Sequence, residues 1–287
     1  MMFLWQAAAV LAGSSTGLLG VYVVGFRMPF LGIAMAHAAM AGAVLACLLG
    51  LPVGPLALLF ALLAAAVMAW LVTTHLRADL NTVTSILLSL TMGLAFLGIG
   101  LNKGDMTPLL GLMWGSLLFV RPADVWIMLA MMAALVLFVT MLGKEMDAML
   151  FSRNIARACG VNDRLVLVLF LVLAAVIITV NLQIVGGLLM YSLLTNPAAA
   201  AFEIGRGMRA VRFLAASAGA LGAVGGFWLS YPLNLPTGAC IVIVSALLYA
   251  VALAAGQPRR TRTSTDKHGR TKTGQRVRHQ ADNQGHG

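Results

Sequence analysis

Few residues in this chain are of a type that does chemistry, and His37 is the clearest of them. It sits in MAHAAMAG (35–42), among small side chains, in a run of 49 residues (28–76) that holds no Asp, Glu, Lys or Arg. A neutral imidazole is a common ligand for zinc, manganese or copper. The plainer reading is a histidine hydrogen-bonded to a neighbouring helix. His75, near the end of the same run, reads as interfacial. A second polar group, Asn181, Gln183, Ser192, Thr195 and Asn196, precedes Pro197. Proline lacks an amide donor and frees the carbonyl four residues back, at Leu193, so a helix kink is predicted there. Broken helices often line solute cavities, and they also occur as packing kinks, so both readings stand.

The richest soluble stretch is MLFSRNIARACGV (149–161). Leu150, Ile155 and Ala158 are apolar, and Arg153 and Arg157 lie four apart. That is the pattern of a short amphipathic helix ending at Gly160, either a handle for another protein or an anchor on lipid. Covalent catalysis has no footing: no H-E-x-x-H occurs and no Ser and His are paired by spacing, which argues against an intramembrane enzyme.

Composition dictates the elements that must position these groups. The 287 residues are 61% hydrophobic and 10% charged, against about 45–50% and about 25% in soluble domains. A helix needs roughly 20 apolar residues to cross a bilayer, so the fold class implied is an all-α polytopic membrane protein. The uncharged runs are 1–26, 28–76, 80–102, 125–143, 165–202 and 213–258. The three longest contain breaks at LPVGP (51–55), NLQ (181–183) and YPLNLPTG (231–238), and each reads as two spans. About nine transmembrane helices result, with eight as the lower count. With the N-terminus outside, 17 Lys and Arg fall on the inner side and 2, Lys103 and Arg121, on the outer. That asymmetry obeys the positive-inside rule and leaves the C-terminus cytoplasmic. Residues 106–120 are too few to cross and are interrupted by Pro108, Gly111 and Gly115, so an external surface-lying or re-entrant helix is predicted. The first run lacks a basic leading segment and does not read as a cleaved signal peptide.

Thirty glycines suit a small-residue-rich bundle, and GALGAVGG (219–226) reads as packing surface, since no strand precedes it and no Lys follows. Cys47, Cys159 and Cys240 are far apart and odd in number, and read as core thiols. The net charge of +10 is not a nucleic-acid footprint: eight of the 19 Lys and Arg lie in 257–287. That segment reads as a disordered basic tail, lying on anionic lipid or merely setting topology, beyond a transmembrane domain of 1–256.

Four stretches carry a family resemblance: FRMPFLGIAMAHAAMAG (26–42), MLFSRNIARACGV (149–161), VGGLLMYSLLTNPAAAA (185–201) and LSYPLNLPTGACIVI (229–243). In this order and spacing they resemble the membrane permease subunit of ATP-binding-cassette importers for zinc, manganese or iron, over nearly all of 3–256. The resemblance implies a homodimeric pore in the bacterial inner membrane, two cytoplasmic ATPase subunits that hydrolyse the ATP, and an extracytoplasmic metal-binding protein. It implies no permanently bound cofactor. It places the coupling helix in 149–161, with Phe151, Arg153, Ile155, Ala156, Arg157 and Gly160 as coupling residues. Phe151 and Ile155 would pack into the ATPase, and Arg153 and Arg157 would face that partner or lipid. The chain has no G-x-x-x-x-G-K-[ST], so it is not expected to hydrolyse ATP itself.

Departures from the family pattern bear on the cargo. An Asp typically stands four residues before the membrane His in the family, where it shares a helical face with the imidazole; here that position is Ile33. Asn81, Ser116 and Asn234 are likewise neutral where the resemblance leads to acids. Together with Asn181, Gln183, Ser192 and Asn196 these are the candidate path-lining residues, and His37 is the candidate transient metal ligand. Neutral walls must replace the hydration of a hard cation without opposing its charge. Three cargoes stay open: zinc or manganese, a softer ion aided by some of the 17 Met, or a metal chelate or other small solute. The competing class, a gradient-driven secondary carrier, usually needs a titratable membrane group, and His37 is almost the only one.

Overall fold

The computed structural model describes residues 2–74, 80–101, 120–233 and 235–256, which are helical with no strand among them. In chain order the helices are α1 (Met2–Gly25), α2 (Leu31–Leu49), α3 (Val53–Thr74), α4 (Leu80–Leu101), α5 (Pro122–Phe151), α6 (Arg153–Ala158), α7 (Asp163–Val185), α8 (Gly187–Ile204), α9 (Met208–Leu233) and α10 (Thr237–Gly256). Eight of these described helices are long and apolar enough to cross a membrane by length and composition, so the chain is a multi-pass membrane protein. α8 is not among those eight: it has 18 residues and carries Thr195, Asn196, Pro197 and Glu203. It packs against α1, α2, α7, α9 and α10, and polar or Pro-containing segments at membrane depth are tolerated when protein surrounds them.

Helix ends follow local chemistry. Gly50 closes α2 at φ +66, and the amide of Leu51 reaches back to the Ala46 carbonyl at 2.9 Å, with Pro52 beyond. Pro122 opens α5 while the Arg121 amide donates to the Asp124 carboxylate at 2.9 Å. The 30 residues of α5 extend about 45 Å, so this helix outruns the uncharged stretch 125–143 and takes Lys144, Glu145 and Asp147 into its last turns.

Three sequence expectations are corrected here. The break expected at NLQ falls later: α7 runs through Asn181 and Gln183 to Val185, and Gly186 turns the chain at φ +93 and ψ 145. Asn181 stays helical because its Nδ2 donates to Ser15 Oγ of α1 at 3.1 Å instead of to nearby backbone. The helix expected over 149–161 is also shorter. α5 continues through Phe151, Ser152 is extended, and its Oγ caps α6 by accepting the Ile155 amide at 3.4 Å. Only six residues follow before the C-cap Cys159, and Gly160 turns away at φ +85. Finally, Cys240 is buried and Cys47 partly so, but Cys159 is exposed, because it ends a surface helix. The basic tail 257–287, most of 106–120, His75, Ser116 and Asn234 lie outside the described residues.

The bundle is built on α1, which packs against α5, α7, α8 and α9. Gly219 meets Gly13, Gly222 meets Ser245 and Gly226 meets Ile241, so GALGAVGG is packing surface. Around this centre, Ile86, Leu97, Trp126, Leu247 and Val251 point outward. An apolar exterior is the surface that lipid solvates.

Candidate functional site

α2 holds His37 in a setting made of small residues. Gly42 lies on the backbone of Leu56 in α3, Gly98 of α4 lies on Val44, and the Thr91 hydroxyl of α4 donates to the Ala34 carbonyl at 3.3 Å. The helices thus close tightly around the imidazole, which is 7% exposed. Its ring lies 6.4 Å from that of Phe96, and its Nδ1 is buried with no hydrogen-bond partner among the described residues. Buried polar atoms are nearly always paired, so an open ring nitrogen is available to accept a proton donor or to ligate a cation. Ile33, one turn earlier, is half-buried and adds no charge. Among the described residues no group of three or more His, Cys, Asp or Glu could hold a metal ion.

The other polar candidates are dispersed. Asn181 is tied to Ser15 on α1, and Asn196 Nδ2 donates to Ser245 Oγ of α10 at 3.1 Å. Both are interhelical ties of the kind that hold membrane bundles together. Thr195 donates to its own helix, at the Tyr191 carbonyl, and Ser192 is half-buried. Pro197 lies inside α8. Asn81, at the start of α4, has a buried side-chain oxygen without a partner among the described residues, while its carbonyl accepts from Thr84 and Ser85. The side chain of Gln183 is outside the described set.

At the α6 end the charges are arranged differently from expectation. Arg153 and Arg157 both turn onto the chain's own Asp163, whose side chain is 6% exposed. Arg153 donates from Nε and Nη2 at 3.2 and 2.8 Å, and Arg157 from Nε and Nη2 at 2.8 Å each. These bonds raise the pKa of the Arg157 guanidinium above its ordinary value, so its charge is fixed. Ala156 is buried beneath, whereas Phe151 and Ile155 are 85% and 53% exposed. A second cluster escaped sequence reasoning: Arg212 of α9 meets Asp147 of α5 and Tyr22 of α1. Nothing local in the sequence links residues 65 and 190 positions apart.

A multi-pass helical bundle with close backbone packing, sparse membrane polar groups and a short arginine-bearing helix at one end has the form of a membrane transport protein. The ABC 3 transport family matches residues 1–256, and the chain belongs to that family. It is 27% identical over 244 residues to the manganese import system permease protein ScaB of Streptococcus parasanguinis, covering 85% of this chain and 86% of the relative. It is 29% identical over 245 residues to the manganese transport system membrane protein MntC of Listeria innocua, covering 85% and 86%. In three dimensions it is similar to PsaBC from Streptococcus pneumoniae, solved in complex with Fab, with a TM-score of 0.75, 26% identity, and 87% and 89% of the two chains covered. The fold also matches a metal-chelate type ABC transporter solved in an inward-facing conformation, with a TM-score of 0.71 and 17% identity over 88% and 85% of the chains.

Proposed function

We propose that this chain is the membrane-spanning pore subunit of an ATP-driven importer for a divalent transition metal, manganese or zinc. The observation that carries this reading is likeness to manganese import permeases over 85% of the chain, the whole bundle and not one motif. Two copies form the pore, with separate cytoplasmic ATPase subunits and an extracytoplasmic metal-binding protein that delivers cargo. The chain holds no ATPase site and no resident cofactor. Its N-terminus is outside, its C-terminus cytoplasmic, and α8 crosses with the other long helices. The end of α5 and α6 then face the cytoplasm and present Phe151 and Ile155 to the ATPase, with Arg153, Ala156, Arg157 and Gly160 shaping that surface.

ATP binding must favour one access state over another, and α6 is where that difference enters. In the membrane His37 is a passing ligand, assisted by neutral oxygens along a path that Ile33, Asn81, Ser192, Ser116, Gln183 and Asn234 border. Asn181 and Asn196 hold the helices around it. A weak site suits passage, since an ion must leave as readily as it enters. The lack of a three-ligand cluster among the described residues favours, as a second reading, a metal chelate or another small solute that arrives with its own ligands.

The test is uptake by the reconstituted complex across a panel of Mn2+, Zn2+ and other divalent ions, with and without His37→Ala. ATP-dependent Mn2+ or Zn2+ uptake that falls in His37→Ala supports the reading. Uptake of neither ion defeats it, and uptake indifferent to the substitution removes His37 as ligand.

A further inference from the structure

At the end of the bundle that carries α6, two carboxylates are occupied by arginine. Asp163 holds α6 itself. Asp147 lies one turn before the end of α5 and receives Nη1 of Arg212, near the start of α9, at 3.0 Å to each oxygen. The same nitrogen donates to the hydroxyl of Tyr22, near the end of α1, at 3.0 Å. Tyr22 is fully buried, and the side chains of Arg212 and Asp147 are 17% and 27% exposed. Gly143, one turn earlier on α5, leaves the space: a Cβ there would stand 3.2 Å from Arg212 Nη1 and 3.8 Å from the Tyr22 hydroxyl.

The two clusters are joined. Phe170, two turns into α7 from Asp163, is fully buried and meets the Tyr22 ring edge-on, with centroids 6.0 Å apart. Contacts therefore run in a closed circuit from α6 through Asp163 and Phe170 to Tyr22, then through Arg212 and Asp147 to the end of α5 that carries α6. Helix α5 depends on this end. Of its 30 residues five are buried, and Gly143, Met146 and Met149 are three of them. α1 and α9, by contrast, already touch backbone to backbone at Gly13 and Gly219, so the cluster is not needed to join those two. What it adds is α5.

Half-buried charges are poorly tolerated in intermediate geometries, because each loses its partner before it regains water. A cluster of this kind has two favourable arrangements, closed or open, and shifts between them as a step. Resting on the proposed function, we infer that Tyr22, Arg212 and Asp147 form a positioning latch of the transport cycle. The latch locks α5 to α1 and α9, so that displacement of α6 by the ATPase reaches α1 and α9 and, through their packing, α8 with its path residue Ser192. None of the three touches cargo.

The experiment measures Mn2+ uptake and ATP hydrolysis on the same proteoliposomes holding the full complex, for wild type, Asp147→Asn, Tyr22→Phe and the exchanged pair Asp147→Arg with Arg212→Asp. Hydrolysis is expected to persist in Asp147→Asn while Mn2+ moved per ATP falls about fivefold or more. Tyr22→Phe loses less, and the exchanged pair recovers part of the ratio. Should Asp147→Asn fail to assemble, Tyr22→Phe reads the ratio in its place. An unchanged ratio, or hydrolysis and uptake falling together, overturns the latch. A reading independent of cargo is nucleotide-dependent hydrogen exchange in α1 and α9, which the latch requires to be blunted in the same variants. A wild type that moves neither Mn2+ nor Zn2+ defeats the proposed function, and exchange then still decides the latch.

Discussion

Gly13 of α1 and Gly219 of α9 oppose each other so closely that a Cβ built on either would overlap the carbonyl oxygen of the other. Gly17 and Ala215 repeat the contact one turn along. Inside a bilayer, apolar side chains gain little by leaving lipid for protein, so close backbone approach and dispersion hold such helices together. Gly13→Ala and Gly219→Ala are each expected to destabilise the protein by about 1–3 kcal/mol, the usual cost of overpacking. Lower Tm values in detergent would register it. Gly93→Ala on α4, where nothing lies within 4 Å, is the control and leaves Tm unchanged or slightly higher. Equal Tm for Gly13→Ala and wild type would refute the packing argument.

Gly186 and Gly50 both turn the chain at positive φ, but they are not equivalent. Gly50, at φ 66 and ψ 26, occupies the left-handed region that Asn also enters, whereas Gly186, at φ 93 and ψ 145, lies where side chains are scarcely accommodated. Gly186→Ala is expected to cost about 1–3 kcal/mol, and Gly50→Asn well under that. Chemical or thermal unfolding of the two variants side by side checks the order. A Gly50→Asn more damaging than Gly186→Ala would reverse it.

The same glycine shows what could be read in the sequence. Runs between charged residues located the long helices, because burying a charge in lipid is costly and the chain avoids it. Within 165–202 that signal is silent, and the polar triplet 181–183 drew the break short of the turn at Gly186. Asn181 looks like a turn former until Ser15 of α1 satisfies its amide, and that partner is known only from the packed structure. His37 was legible as an isolated imidazole, but its open Nδ1 and the neighbouring Phe96 were not, since both depend on how α2 meets α4. The arginines of α6 were legible as a pair four apart. Their shared acceptor was not, because Asp163 belongs to the next helix and no periodicity spans the turn at Gly160.

That shared acceptor predicts how α6 is held. In Asp163→Asn both guanidiniums lose a charged partner, at a cost of roughly 1–2 kcal/mol, below that of a fully buried pair because the arginines regain water. Hydrogen exchange of amides in 154–158 is expected to accelerate by about tenfold, the kinetic equivalent of that free energy. Asp124→Asn at the other end of the bundle breaks the exposed pair with Arg121, where the arginine side chain is 79% exposed, and leaves exchange in α6 untouched. Protection of α6 that is indifferent to Asp163 would mean that the helix is held by Ala156 and its cap alone.

With Asp163 engaging both arginines, the corner where α5 meets α6 still presents two large apolar side chains, beside the exposed Asn154 and Arg157. Phe151 and Ile155, four residues apart, are 85% and 53% exposed. Aromatic anchors surrounded by near-neutral contacts carry most of the energy of an interface, and truncating one costs about 2 kcal/mol or more. On the reading of the α5–α6 corner as the ATPase handle, Phe151→Ala weakens association with the ATPase by about 30-fold, while the Tm of the isolated permease stays at the wild-type value because the ring is exposed. Lipid anchoring makes the opposite forecast: ATPase affinity is retained, and the variant differs from wild type only in its reconstituted bilayer. Titration of purified ATPase against permease in detergent, where no bilayer competes, separates the two. Undiminished affinity there would assign Phe151 to the membrane surface and leave Arg157→Glu, which reverses a charge Asp163 now holds, as the variant that probes α6 from its inner side.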